Sequence, residues 1–332
     1  MDGVVVLSNP NSGRNFRDKS RFKTIQKIVG NRGIVYSTKN PDCLEKILSD
    51  LPKHDPKALI ISGGDGTVST VVTKLMRYWP GEKELPVLGV IPSGTINILA
   101  KEYTSNKKTP LRPFRYFKNL FNDADQLDYL RGMVSLPEER LFYKDVDFMK
   151  VSDNNGLCTY GFSAGAGLIV DLLHEYYKAK HLKLIKMSSM AVHLMWSALF
   201  NGKYYQSLNK KHSFSVNGDE PEDYLWIVSQ TLQSVGTPKS SPFYKAQLCS
   251  GKFHTMGAKF NLDKFIRYFP AFYSGDEIPG MLDIQTDSIV LSSEQEFAYQ
   301  VNGDLDYLGK PFKACILKME HGITCKIVQP RN

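Results

Sequence analysis

Residues 58–69, Ala58-Leu59-Ile60-Ile61-Ser62-Gly63-Gly64-Asp65-Gly66-Thr67-Val68-Ser69, pass from an unbroken apolar run through a glycine-rich bend into a stretch of helical character. A short continuous apolar run closed by glycines is the form of a strand buried on both faces, as inside a parallel sheet. The continuation Val68–Tyr78 has helical spacing, so the whole reads as one strand–turn–helix unit.

The same grammar repeats on either side. Val4–Leu7 is an apolar run ending in Asn9-Pro10-Asn11-Ser12-Gly13, followed by a helical stretch around Lys19–Val29. Gly33–Tyr36 is a second strand, and Asp42–Leu51 a helix with Asp42 as its cap. Val87–Ile91 is a further strand, ending in Pro92-Ser93-Gly94-Thr95, with a helix over Ile96–Glu102. Repeated βα units with tight glycine turns predict a doubly wound α/β domain.

Beyond about residue 125 the segments Asp145–Val151, Tyr224–Ser229, Lys252–Phe260, Ser288–Leu291 and Phe297–Val301 are short and alternating, with turn signals at Asp153–Gly156 and Asn217-Gly218. They predict a C-terminal antiparallel β-rich domain. One long helical region is expected within it, from Ala166 to about Leu199.

The chain has 332 residues, 42% hydrophobic and 23% charged, a composition that excludes a disordered protein and suits about two domains. Cys43, Cys158, Cys249, Cys315 and Cys325 have no CxxC spacing, which argues for reduced thiols in a cytoplasmic setting and against a zinc site. Met1–Leu7 lacks a basic segment followed by a long apolar one, so no signal peptide is expected. The net charge of +8 implies attraction to something anionic without choosing among nucleotide, membrane and nucleic acid.

Three glycine turns at strand ends lie together at the carboxyl edge of an open parallel sheet, where ligands bind. Glycines there let the backbone approach a phosphate, and the following helix offers N–H groups and a positive dipole end. Ser12, Thr67 and Thr95 add hydroxyls, and no GxxxxGK[ST] loop exists in the chain. Asp65 carries the sharpest chemistry: a carboxylate beside phosphates holds Mg²⁺ or accepts the proton of an attacking hydroxyl. Its bland role would be to cap the helix starting at Thr67.

With Asn9-Pro10-Asn11-Ser12-Gly13, Gly63-Gly64-Asp65-Gly66-Thr67 and Gly94-Thr95-Ile96-Asn97-Ile98-Leu99-Ala100, the sequence resembles the diacylglycerol kinase catalytic-domain family, which includes bacterial lipid kinases and the sphingosine and ceramide kinases. The resemblance implies an ATP cleft between an α/β domain (1–125, with the chain's end from about 316 to 332 returning to it) and a β-sandwich-like lipid-binding domain (126–315). It implies ATP and Mg²⁺ as cofactors and a membrane lipid hydroxyl as acceptor, in a cytoplasmic, peripherally membrane-associated enzyme.

Carried onto this chain, the family's nucleotide-binding positions are Asn9, Pro10, Asn11, Ser12, Gly13, Gly63, Gly64, Gly66, Thr67, Gly94, Thr95 and Asn97, with Asp65 as catalytic and metal residue. Asp171, after the small-residue loop Ala164–Gly167, matches the aspartate by which sphingosine kinases contact the acceptor's head. Lys178, in the run Lys178–Lys183, matches the region of phosphate-binding basic side chains. Val301-Asn302-Gly303-Asp304 resembles the family's Asp-Gly-Glu nucleotide contact, with Asp304 keeping a carboxylate and Asn302 not.

Bacterial diacylglycerol kinases place two aspartates where this chain has Cys249 and Ser250, before Gly251. Sphingosine kinases also lack that pair and use the aspartate equivalent to Asp65, so the resemblance favours their manner of working. The rivals are a catalytically impaired pseudokinase that binds nucleotide or lipid, and an enzyme of NAD-kinase type, which would explain Gly63–Thr67 but not Asn9–Gly13. Nucleic-acid binding has no basic-aromatic motif to support it.

For the acceptor, Leu182–Phe200 is apolar but interrupted by Lys183, Lys186 and His193, which excludes a spanning helix. It reads either as an amphipathic helix gripping acyl chains or as an ordinary core helix. Phe265–Tyr273, with Lys264 and Arg267, reads either as a second membrane-facing patch or as core.

Overall fold

The computed structural model describes residues 3–94, 97–104, 123–135, 141–177, 202–235, 240–307 and 309–330. The chain divides into two compact units, Met1–Val146 with Thr324–Asn332, and Asp147–Ile323.

In the first unit the strands β1 (Val4–Ser8), β2 (Gly33–Ser37), β3 (Ala58–Gly63) and β4 (Val87–Pro92) form a parallel sheet in the order β2-β1-β3-β4. The register aligns Leu7 with Ile61 and Ile61 with Val90, so the strands end level with one another. Val4, Val6, Ile60 and Ile91 pack with Ile25, Leu130 and Met133 from the helices α2 (Arg21–Val29) and α6 (Asp123–Ser135). Val5, Leu7, Leu59 and Ile61, which point the other way, are equally buried, so this sheet is covered on both faces.

The helices depart from the sequence reading at their ends. The stretch around Lys19–Val29 forms α2, and a separate short helix, α1 (Gly13–Arg17), precedes it; Asp18 Oδ1 accepts from the Ser20 N–H and hydroxyl and turns the chain between them. The next helix, α3, spans Pro41–His54; its cap is Asn40, whose Oδ1 accepts from Cys43 N, not Asp42. Two further helices are α4 (Asp65–Tyr78) and α5 (Ile98–Thr104). The fully buried Lys74 on α4 reaches Glu45 on α3 at 2.5 Å, and the Tyr78 hydroxyl bonds the same carboxylate.

The second unit begins within β5 (Leu141–Asp153) and continues with β6 (Cys158–Gly161), β7 (Ser163–Gly167), the helices α7 (Leu168–Tyr177) and α8 (Lys203–Leu208), and β8 (His212–Val216), β9 (Glu222–Tyr224) and β10 (Trp226–Gln230). Then follow β11 (Phe253–Ala258), α9 (Leu262–Ser274), β12 (Met281–Thr286), β13 (Ser288–Val301), the small ribbon β14 (Asp306–Tyr307) and β15 (Lys310–Pro311), and β16 (Lys313–Pro330). The strands β12-β11-β10-β7-β13-β16 pair in that order, antiparallel throughout. Alternation along β10 feeds two cores: Trp226 and Val228 pack with α9, while Ile227 packs with Phe214, Tyr299 and Leu317. The last residues of β16 belong to the first unit, where Ile327 pairs with Leu88 of β4 in parallel.

The helix expected from Ala166 starts instead at Leu168. Ala166 lies in β7, and Gly167, at φ +83°, makes the left-handed turn between strand and helix. Residues 178–201, which carry Lys178 and the apolar run Leu182–Phe200, lie outside the described residues, as does Thr95. Among the described residues, no helix is long and apolar enough to cross a membrane.

Candidate functional site

At the carboxyl edge of β1, β3 and β4, three turns meet. Asn9 begins the first: its Oδ1 accepts from Asn11 N at 2.9 Å, closing a side-chain turn, and its Nδ2 donates to Thr67 Oγ1 at 2.9 Å, tying it to the second. Asn15 lies behind, donating from Nδ2 to Asn9 O and Ser62 O. The third turn is bound to both others, because Arg14 N donates to Ser93 O at 2.9 Å and Ser93 N donates to Gly63 O at 2.8 Å.

Gly64 and Gly94 are the contact point of the last two turns. A Cβ on Gly94 would stand 2.6 Å from Gly64 Cα, and a Cβ on Gly63 would stand 2.5 Å from Thr67 Cβ. Only glycine lets these backbones come so close. Asn9–Gly13, Gly63–Thr67, Gly94 and Asn97 are thus brought together in one unit.

Asp65 is the first residue of α4, with Gly64 as a cap that has no side chain to offer. The helix therefore starts at Asp65, not at Thr67, and Asp65 does not cap it. Its carboxylate turns instead to the next helix, accepting from Ile98 N at 2.9 Å and Leu99 N at 3.3 Å at the start of α5. This corrects the expectation that every turn leaves its helix N-terminus open to phosphate: at α5 the orphan N–H groups are met by Asp65. At α4 the first intrahelical bond is Val68 N to Gly64 O, so the N–H groups of Asp65, Gly66 and Thr67 precede the ladder. A helix terminus of this kind is one to which an anion can bind.

Asn97 is likewise engaged, in αL conformation at φ 55°. Its Oδ1 accepts from Gly94 N and its Nδ2 donates to Gly94 O, both at 2.8 Å. It clasps the third turn rather than presenting its amide to a ligand.

Burial raises the Asp65 carboxyl to about 6 against the pull of the Ile98 and Leu99 N–H groups and of Lys101. Lys101, one turn into α5, is itself brought down to about 8 by burial; the attraction of Asp65 opposes this and the repulsion of Arg14 adds to it. Arg14 is buried, in the residue after Gly13. Two basic side chains and one carboxyl group of raised proton affinity thus lie by the turns. Arg14 and Lys101 escaped the sequence reading; each is a basic residue directly following or one turn beyond a glycine turn, which is the signal that marks them.

In the second unit, Asp171 stands in the first turn of α7, half-buried. Burial raises its carboxyl against the opposing charges of His212, His174 and Lys210. At the far end of α7, the Tyr177 hydroxyl donates to Gly303 O at 3.0 Å and lies 3.4 Å from Asp304 Oδ1, so Asp304 is joined to the helix that carries Asp171. Asn302 is buried, and its Oδ1 accepts from Phe162 N at 2.9 Å and Ser163 N at 3.0 Å, while its Nδ2 has no partner among the described residues. One amide oxygen serves both N–H groups, the same work a carboxylate oxygen would do there.

Cys249 and Ser250 bring no acid to Gly251, but a carboxylate stands there all the same. Gly251 N donates to Asp147 Oδ2 at 3.0 Å, and Asp147 Oδ1 lies 3.4 Å from His321 Nε2. Asp147 is distant in sequence and no local motif announces it.

For a triphosphate the first unit's residues fit: glycine backbones, an open helix N-terminus and flanking cations. For a divalent ion they offer one carboxylate, Asp65, and among the described residues no group of three or more His, Cys, Asp or Glu is placed to hold a metal. A single carboxylate suits an ion carried in on phosphate oxygens, as Mg²⁺ commonly is.

Residues 3–124 match the family model described as the diacylglycerol kinase catalytic domain. Solved structures share the fold. A diacylglycerol kinase of Bacillus anthracis str. Sterne is 15% identical at a TM-score of 0.60, covering 98% of this chain and 96% of that one. A protein named as a "putative diacylglycerol kinase" from the same organism is 15% identical at a TM-score of 0.63, covering 100% of this chain and 97% of its own. No curated protein sequence matches the chain.

Proposed function

We propose that this protein is an ATP-dependent lipid kinase that transfers the γ-phosphoryl group to a hydroxyl of a membrane lipid. The observation that carries the reading is the meeting of three turns around Gly64 and Gly94, with the N-terminus of α4 open beside Asp65. The family match over residues 3–124 supports a kinase.

In this reading the nucleotide's phosphates lie on the amides of the first two turns and the start of α4, flanked by Arg14 and Lys101. Mg²⁺, when bound with the nucleotide, neutralises phosphate charge. Asp65, raised to about 6, is ionised at neutral pH yet basic enough to take the proton of the attacking hydroxyl. The donors from Ile98 and Leu99 hold its carboxylate in place, so the chemistry rests on positioning and charge neutralisation, as phosphoryl transfer generally does. Asp171, half-buried beside His212 and Lys210, orients the acceptor's polar head, which favours a sphingoid base or ceramide over diacylglycerol. Asp304 and Lys178 are assigned to nucleotide contacts, and the protein works at the membrane surface without spanning it.

The test is a kinase assay with labelled ATP against mixed micelles of diacylglycerol, sphingoid base and ceramide, with NAD as the competing acceptor. Phosphorylated lipid identified by mass, absent for Asp65→Asn, is the expected outcome. Phosphorylation of NAD alone, or nucleotide binding without any product, would replace the lipid-kinase reading.

A further inference from the structure

The short helix α1 is amphipathic the wrong way round. It buries Arg14 and Asn15, at 8% and 9% exposure, and leaves Phe16 68% exposed. A helix held by the hydrophobic effect would do the reverse, so what docks α1 is its polar bonds. The Arg14 N–H donates to Ser93 O at 2.9 Å, in the third turn. The Asn15 side chain serves the other two. Its Nδ2 shares two protons among Asn9 O at 2.8 Å, Ser62 O at 3.1 Å and Ser62 Oγ at 3.2 Å. Two carbonyls around one nitrogen fix which way the amide faces.

The bonds continue beneath the sheet edge. Ser62 stands in β3 just before the second turn, and Ser93 follows β4 just before Gly94. Both are fully buried, with their hydroxyls 3.2 Å apart. Ser62 Oγ also lies 3.4 Å from Asn15 Oδ1, and Ser93 Oγ 3.3 Å from Ile91 O. Ser62 O accepts from Asn9 N at 3.0 Å as well as from Asn15, so both of its lone pairs are used on the first turn and α1. A hydroxyl adds nothing to an apolar layer, and left unpaired it is costly to bury. The value of these lies in what they join: one chain of Asn9, Asn15, Ser62 and Ser93, with a member in or at the edge of each turn.

We infer that Asn15, Ser62 and Ser93 are positioning residues for the nucleotide, whose buried hydrogen-bond chain sets the spacing of the three glycine turns so that they meet its phosphates as one unit. The three act from beneath, through the backbone of the turns. The inference deepens the lipid-kinase reading and rests on its placing of the phosphates at this edge. Buried polar networks behave as units, so losses at their members do not add.

The test is calorimetric titration of the full chain with Mg·ATP and with AMP, for the wild type, Asn15→Ala, Ser93→Ala and the double variant, beside urea denaturation of each. Asn15→Ala is expected to weaken Mg·ATP binding at least about tenfold, and Ser93→Ala about three- to tenfold. The double variant should bind no more than about twofold worse than Asn15→Ala, because the chain is already broken. AMP, whose single phosphate does not span the turns, should lose less than about twofold in every variant. Ser93→Ala removes one oxygen and leaves its backbone bonds in place, so it carries the test if Asn15→Ala does not fold. Variants that lose stability while keeping Mg·ATP affinity within about twofold, or that lose AMP and Mg·ATP equally, would overturn the inference and leave the kinase reading standing. A wild type that binds no Mg·ATP would remove that reading, and the inference with it.

Discussion

Replacing Asp65 by Asn tests site and fold together. In the folded protein the carboxyl titrates at about 6, against 3.8 for the free side chain, and the gap corresponds to about 3 kcal/mol. Because the folded value is the raised one, the neutral form's advantage is fully present below pH 3.8 and is lost as pH rises through about 6. Asn carries no charge at any of these pH values. It keeps one oxygen for the Ile98 N–H but turns an NH₂ group toward Leu99 N–H, which costs about 1–2 kcal/mol. Above about pH 7 the variant should therefore be more stable than the wild type by about 1–2 kcal/mol, and at about pH 4 less stable by a similar amount. Urea denaturation of both proteins from about pH 4 to 8 measures the crossing. Over the same range Asp65→Asn should lose about 100- to 10,000-fold in turnover. A constant stability difference across that range would refute the burial argument, and near-normal turnover would remove Asp65 from the chemistry.

Other perturbations probe the supports. In the wild type, kcat/KM should rise to a plateau above about pH 6 as Asp65 ionises and fall above about pH 8 as Lys101 loses its proton; a flat profile across that range would contradict their shared role. Gly94→Ala puts a methyl 2.6 Å from Gly64 Cα and should cost about 1–3 kcal/mol in denaturation while abolishing nucleotide binding in calorimetry. Glu45→Ala leaves the buried Lys74 without its anion and should lower the midpoint of thermal denaturation. Asn302→Ala strips the Phe162 and Ser163 N–H groups of their acceptor and should cost about 2–4 kcal/mol, against little change for Asn302→Asp.

The strands of the first unit and their glycine bends were legible because each is a local pattern: an apolar run, then residues that permit a tight turn. The contacts that make the bends into a site were not. Asp65 reaches Ile98 across 33 positions and Asn9 reaches Thr67 across 58, and nothing in either neighbourhood names its partner. Asp65 read as a metal or base residue with helix capping as its bland role; it does cap, but the following helix. Asn97 was carried over as a nucleotide contact through the family resemblance, and its side chain closes the turn on Gly94. Cys249 and Ser250 stand where the family's aspartate pair would be, and the carboxylate that accepts from Gly251 N comes from Asp147 on β5, distant in sequence. In α9 the apolar pattern was plain, but periodicity does not tell buried from exposed when a helix is apolar around most of its circumference.

The gathering of three amide-lined bends into one phosphate pocket is tested most directly by following the backbone amides of Gly13, Gly64, Gly66 and Gly94 by NMR during titration with Mg·ATP. Together they should shift along a single saturation curve with one dissociation constant. Amides that stay still, or that saturate at separate nucleotide concentrations, would contradict it.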